Sequence, residues 1–194
     1  MVVSSACVAY EVGLRALSSE RTDTKPALVL MLGSNIGNFE PGDAWALLAK
    51  IRAALMPGDS FLLGTDLVKP AEALQLAYDD PVGVTAAFNK NMLARINREL
   101  DANFHLPSFT HRAVWNPSAS RIEMHLVAQA EQTVEIPGAG IQAHFAQGES
   151  VLTECSYKFE PAGVARLGER AGFRTRMQWI DEPGQFALTL FQAR

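Results

Sequence analysis

The sequence predicts an α/β fold in which parallel strands alternate with helices, an antiparallel pair of strands closes the sheet, and an α+β subdomain is inserted. Three observations predict it. A continuous apolar run, residues 27–32, breaks abruptly into Gly33-Ser34-Asn35-Ile36-Gly37-Asn38; such a run, bounded by turn residues, reads as a strand buried on both faces in the middle of a parallel sheet. One helical segment, 44–55, separates it from a second apolar run at 61–68, which makes a βαβ unit, right-handed in nearly all cases. From Ala113 onward the hydrophobic period falls from about four to two.

Each element has its own signal. Residues 2–17 look helical, with Val8, Val12 and Leu14 among small residues, and 18–25 is a polar linker. A buried parallel strand needs neighbours on both sides, and a chain that reaches it through a single helix suggests that something upstream is missing. Helix 44–55 presents Ala44, Leu48, Ile51 and Leu55 on one face, with Asp43 as its expected N-cap, and Met56-Pro57-Gly58-Asp59 stops it. After Lys69-Pro70 the alternation ends. A short helix spans 71–77, Tyr78-Asp79-Asp80-Pro81 is a turn, and 84–100 is a long helix with Val84, Phe88, Met92, Ile96 and Leu100 at every fourth position. Ile122, Met124, Leu126 and Ala128 then share one strand face, with Glu123, His125 and Val127 on the other. Residues 132–136 and 141–145 flank Pro137-Gly-Ala-Gly140 as a hairpin. Pro161 suits the first position of a helix that turns Val164 and Leu167 inward and ends at Gly172. Strands at 173–180 and 185–192 complete the chain. The expected organisation is therefore 1–69 as sheet core, 70–152 as insertion and 153–194 as the return to the core.

Composition excludes several classes. The 194 residues carry 17 basic and 21 acidic side chains, well mixed, for a net charge of -4; nothing suggests nucleic acid or an anionic membrane as partner. No apolar run approaches the roughly 20 residues that span a bilayer. The N-terminus lacks the basic n-region of a signal peptide, and two cysteines, Cys7 and Cys155, make no disulfide framework. A cytoplasmic protein fits best. His105, His111, His125 and His144 lack i,i+4 pairing and there is no C-x-x-C, so no metal site is expected. G-x-S-x-G, G-x-G-x-x-G and Walker A motifs are all missing, and no catalytic acid, base or nucleophile is assigned.

Two places hold candidate binding chemistry. In open α/β sheets ligands bind at the carboxyl ends of the strands, where Gly33 and Gly37 allow close backbone approach and Ser34, Asn35 and Asn38 offer donors and acceptors; an ordinary strand-to-helix turn has the same composition. Asp79-Asp80 reads either as an acid/base pair or as turn residues. Glu154 and Ser156, two apart in extended backbone, point the same way. They suit either a solvent-facing strand position or a site for a heterocycle such as imidazole, with Glu accepting and Ser donating or accepting.

Taken together, the motifs have a counterpart. Leu32-Gly33-Ser34-Asn35-Ile36-Gly37-Asn38, Leu55-x-Pro57-Gly58-Asp59 and Leu63-Gly64-Thr65-Asp66-Leu67-Val68-Lys69 resemble the histidine-specific, S-adenosylmethionine-dependent Nα-methyltransferases of ergothioneine biosynthesis. The resemblance continues through Ala77-Tyr78-Asp79-Asp80, Gly83-Val84-Thr85-Ala86-x-Phe88-Asn89, Ile96-Asn97-Arg98-Glu99-Leu100, Ile122-Glu123-Met124 and Thr153-Glu154-x-Ser156-x-Lys158-Phe159, collinear from about residue 26 to the C-terminus. It implies a Rossmann-like class I methyltransferase sheet carrying a substrate-binding insertion, monomeric in full-length form. It implies S-adenosylmethionine as methyl donor and L-histidine as substrate, methylated three times on the α-amino nitrogen to hercynine. The family's substrate contacts carry over to Asn38 and Tyr78 near the amino and carboxylate end, and to Glu154 and Ser156 around the imidazole. Gly33 would line the strand end and Met124 the imidazole pocket. The family's glycine-rich cofactor loop and the acidic residue of its second strand have no counterpart here. The sequence is therefore expected to be a fragment of a longer protein, or to pair with a missing N-terminal half, with a degenerate stand-alone piece as the other reading; the alternatives in function are a methyltransferase of the same family acting on another amino acid and a non-catalytic amino-acid-binding fragment.

Overall fold

The structure is a computed structural model that describes residues 8–20 and 25–194. They form two compact units, one taking the chain up to Val68 together with Lys158–Arg194, the other Lys69–Tyr157.

The first unit is a mixed sheet with helices. Helix α1 (Tyr10–Glu20) leads to β1 (Leu28–Met31), a 3-10 turn (Asn35–Asn38), α2 (Pro41–Ala53) and β2 (Ser60–Asp66); α5 (Pro161–Arg170), β8 (Phe173–Asp181) and β9 (Phe186–Ala193) complete it. Strand order is β1-β2-β9-β8. β1 and β2 run parallel, from Leu28 opposite Ser60 to Met31 opposite Leu63, which is the expected βαβ unit. β9 lies antiparallel between β2 and β8, the expected closing pair. The core gathers Ile36, Leu48, Leu63 and Val164, all fully buried, around Phe61, Phe173 and Phe191. Those three rings lie 5.5–6.1 Å apart between centroids, within the range of favourable aromatic packing.

Several expectations change here. β1 is not buried on both faces: among the described residues it pairs with β2 alone, and Leu28 and Leu30 are each 55% exposed. The apolar run was read as a central strand because both of its faces are apolar, but here only Met31 is buried. α2 starts at Pro41, with Glu40 at the cap position. Proline fixes φ for a first helical residue, so Asp43 falls inside the first turn and does not cap. Of the helix expected over 2–17, residues 1–7 lie outside the described set, and α1 runs on to Glu20. Leu14 packs on the core, whereas Val8 and Val12 are exposed.

The second unit holds α3 (Ala71–Tyr78), α4 (Val84–Leu100), β3 (Phe109–Asn116), β4 (Arg121–Ala128), β5 (Gln132–Ile136), β6 (Ile141–Phe145) and β7 (Ser150–Tyr157). β4 is the middle of a three-stranded antiparallel sheet β3-β4-β7, and β5-β6 is the expected hairpin. Ile122, Met124, Leu126 and Ala128 are buried on one face of β4, as period two requires. Leu74 of α3 packs at the Ile122 and Met124 end of that face, and Leu93 of α4 at the Leu126 and Ala128 end. α4 has the expected bounds but a different inward face. Val84 and Phe88 are 66% and 65% exposed, and the buried positions are Asn89 and Leu93; counting apolar residues alone cannot find a buried asparagine. Residues 153–157, expected with the returning core, extend β7 in this unit because 154–157 pair with β4 and Thr153 is the bulge between paired stretches.

The two connections between the units are adjacent. Phe159 N–H donates to the Asp66 carbonyl at 3.0 Å, and Val68 N–H donates to the Phe159 carbonyl at 3.1 Å, so the chain leaves and re-enters the first unit through one short parallel bridge.

Candidate functional site

At the carboxyl end of β1, Gly33 and Ser34 both take left-handed backbone, at φ 80° and 60°. Glycine does so without steric cost. Ser34 is held by its side chain, whose Oγ accepts the Asp66 N–H at 2.8 Å. The Asp66 carboxylate lies 3.0 Å from Lys158 Nζ, and the Lys158 side chain is 1% exposed; an ammonium buried so deeply requires a paired carboxylate. These contacts tie the ends of β1 and β2 together. Gly33 itself is exposed, and nothing lies within 4 Å of where its Cβ would stand, so backbone is open to a ligand at the strand end. Asn38 closes the following turn with its side chain exposed.

In the second unit, Tyr78 is the last residue of α3 and its Oη donates to Ser156 Oγ at 2.8 Å. Across β4 and β7, Ser156 stands opposite Ile122 and Glu154 opposite Met124. Directly opposed residues of antiparallel strands share a face. Glu154, Ser156 and Met124 thus lie on the face where Leu74, Ala113, Tyr78 and Trp115 pack. A β-bulge sets this phase: Met124 pairs with Glu154 but His125 with Leu152, leaving Thr153 extra, and Thr153 Oγ1 donates to the Met124 carbonyl at 2.9 Å. Bulges re-aim side chains in this way, and no residue pattern in the sequence announces it. Of the six residues singled out by sequence, four (Tyr78, Met124, Glu154 and Ser156) come together here, while Gly33 and Asn38 share the end of β1.

Asp80 and Glu123 have partners of their own. Asp80 accepts the Val84 and Thr85 N–H groups at 3.0 and 2.8 Å; the Thr85 backbone bond, then its hydroxyl and the Val84 N–H, lower its carboxyl to about 2. It acts as the cap of α4, as the turn reading expects of Asp80. On the sheet face opposite Ser156, hydrogen bonds from Asn116 and then Arg121 hold the Glu123 carboxyl below its usual range, and Arg121 also donates to Tyr157 Oη at 2.7 Å. Sequence reasoning weighed His111 only as a metal ligand and met Asn89 only within a family motif, and gave neither a structural role; both are buried, with His111 against the Tyr78 carbonyl.

Residues 1–193 match the family described as histidine-specific, SAM-dependent methyltransferases. The chain belongs to this family. It is 48% identical over 163 residues to the histidine N-alpha-methyltransferase of Mycolicibacterium smegmatis, covering 84% of this chain and 51% of that protein. It is 30% identical over 174 residues to ergothioneine biosynthesis protein 1 of Schizosaccharomyces pombe, covering 89% of this chain and 22% of that one. An L-tryptophan methyltransferase of Psilocybe serbica is 28% identical over 194 residues, covering 95% of this chain and 52% of that protein. The chain thus spans about half the length of the histidine methyltransferase that it matches. Among the described residues no helix is long and apolar enough to cross a membrane.

Proposed function

We propose that the protein transfers methyl groups to the α-amino nitrogen of L-histidine, leading to the trimethylated hercynine, and that residues 69–157 bind the imidazole end of the substrate. The observation that carries this reading is the hydrogen-bonded pair Tyr78–Ser156 on the same sheet face as Glu154 and Met124, in a chain of this family. Glu154 would accept from one ring N–H while Ser156 meets the other ring nitrogen, with Met124 packing against the ring. Tyr78 would hold the amino end, a role that the family resemblance also gives to Asn38. S-adenosylmethionine supplies, when bound, a sulfonium methyl as electrophile; the open backbone at Gly33 fits one wall of a site for it. An α-amino group loses its proton at about pH 8, so a site that accepts the neutral amine needs no strong base. Orientation carries most of the rate, for which effective molarities of about 10⁵ M are attainable. We place this enzyme in the cytoplasm and, in its full-length form, as a monomer; light scattering on that full-length protein checks the oligomeric state.

Glu154→Ala should raise the KM for histidine more than any other substitution among the six residues; an unchanged KM removes the imidazole assignment. The relative named for L-tryptophan makes another α-amino acid the alternative. A panel in which tryptophan is methylated faster than histidine would favour it.

A further inference from the structure

Asn89 and His111 are polar side chains, 4% and 7% exposed, that the proposed chemistry does not use. An apolar residue would fill either place at less desolvation cost. Their hydrogen bonds give the reason for their presence. His111 Nε2 lies 2.8 Å from the carbonyl oxygen of Tyr78, one of the carbonyls at the end of α3 that no N–H of the same helix can reach. A carbonyl only accepts, so Nε2 carries the proton. Nδ1 lies 2.9 Å from the Asn89 amide nitrogen. That nitrogen also donates to the His125 carbonyl at 3.3 Å, which fixes the amide's orientation and makes Nδ1 an acceptor. The ring is therefore held as the neutral Nε2–H tautomer from both sides. The half-exposed Asp79 carboxylate is 3.9 Å from Nε2, beyond hydrogen-bond range.

Tyr78 is thus gripped twice, its carbonyl by His111 of β3 and its phenol against Ser156 of β7. The last turn of a helix is where fraying costs least, and α3 is only eight residues long, so these bonds add to the packing of Leu74 and Tyr78 in holding it. We propose that His111, oriented by Asn89, is a positioning residue for the methyltransferase: through the Tyr78 carbonyl it fixes the last turn of α3 and with it the phenol that orients the amino end of the substrate. This rests on the reading of Tyr78 as a substrate contact.

The test is histidine kinetics on the purified protein with His111→Leu, His111→Gln, Tyr78→Phe and the His111→Leu/Tyr78→Phe double variant. Glutamine carries an N–H where the ring has Nε2. His111→Leu should raise the KM for histidine about ten-fold, equivalent to about 1.4 kcal/mol, with kcat changed less than about two-fold. His111→Gln should recover most of the loss. The double variant should be no worse than Tyr78→Phe, because the effect passes through the phenol. A wild-type KM in His111→Leu, or losses that add in the double variant, overturns the role of His111 alone. An unchanged KM in Tyr78→Phe overturns the reading of Tyr78 and the proposal with it. Nitrogen NMR of the wild-type ring gives a check that needs no variant to fold: a protonated Nδ1 with a bare Nε2 overturns the proposal, and the opposite tautomer supports it.

Discussion

Asp59 gives the sharpest test of how the first unit is built. It is 2% exposed, and its two carboxylate oxygens accept from two segments, Oδ1 from the Ala27 N–H at 2.9 Å and Oδ2 from the Met56 N–H at 2.8 Å. Its own main chain accepts from Ala193 N–H at 2.8 Å, and the neighbouring Ser60 N–H donates to Ala27 at 2.8 Å. One side chain therefore sets where β1 starts against β2, and with it the strand ends that carry Gly33 and Asn38. Hydrogen bonds to a charged acceptor contribute about 1.5–3 kcal/mol each. Both bonds are half-buried, so each counts towards the low end of that range. Asp59→Ala should then cost about 3–4 kcal/mol. Asp59→Asn retains one acceptor but turns an amide donor towards the other N–H, and should cost about 2 kcal/mol. With a urea slope of about 2 kcal/mol/M, the alanine variant should lower the unfolding midpoint by about 1.5–2 M, read by circular dichroism. A shift below about 0.3 M, or an asparagine variant worse than the alanine one, would refute the reasoning.

Gly168→Ala tests packing inside α5: a Cβ there would run into the Phe191 ring, which is fully buried between Phe61 and Phe173. Overpacking at about 1–3 kcal/mol should outweigh the gain of about 1 kcal/mol in helix propensity, and a thermal midpoint above wild type would contradict it. Asp80 predicts an acid dependence. Its folded carboxyl sits at about 2 against 3.8 for the free group, so its contribution is complete above the unfolded value and is lost as pH falls through the folded one. The stability difference between wild type and Asp80→Ala, followed by urea titration, should be constant at neutral pH and vanish as pH drops from about 4 towards 2; a difference that persists at the acid end would remove the cap from the account.

Elements whose signal is local were legible. The hairpin at Pro137-Gly138, the proline start of α5 and the alternation of β4 follow from backbone chemistry within a few residues, and the structure has them where they were expected. What was not legible depends on partners far along the chain. Whether both faces of β1 are covered is decided by neighbouring strands, and Leu28 and Leu30 look alike in sequence whether buried or not. Asn89 is buried because His111 and the His125 carbonyl meet it, and Lys158 because Asp66 does. At the candidate site, the common direction of Glu154 and Ser156 followed from period two. The bulge at Thr153 and the reach of Tyr78 to Ser156, 78 positions away, came only from the folded chain. Family motifs had already drawn attention to those positions, without saying what holds them.

The parallel bridge between 66–68 and 158–159 also bears on how such a chain can change over generations. Because Lys69–Tyr157 begins and ends at neighbouring points, the sheet closes the same two ends whatever lies between them. Loop-closure cost rises only with the logarithm of length, so that stretch can be lengthened, shortened or exchanged as a cassette while the core keeps its strand order. The inserted stretch and the core sheet can then vary separately, joined at one pair of hydrogen bonds.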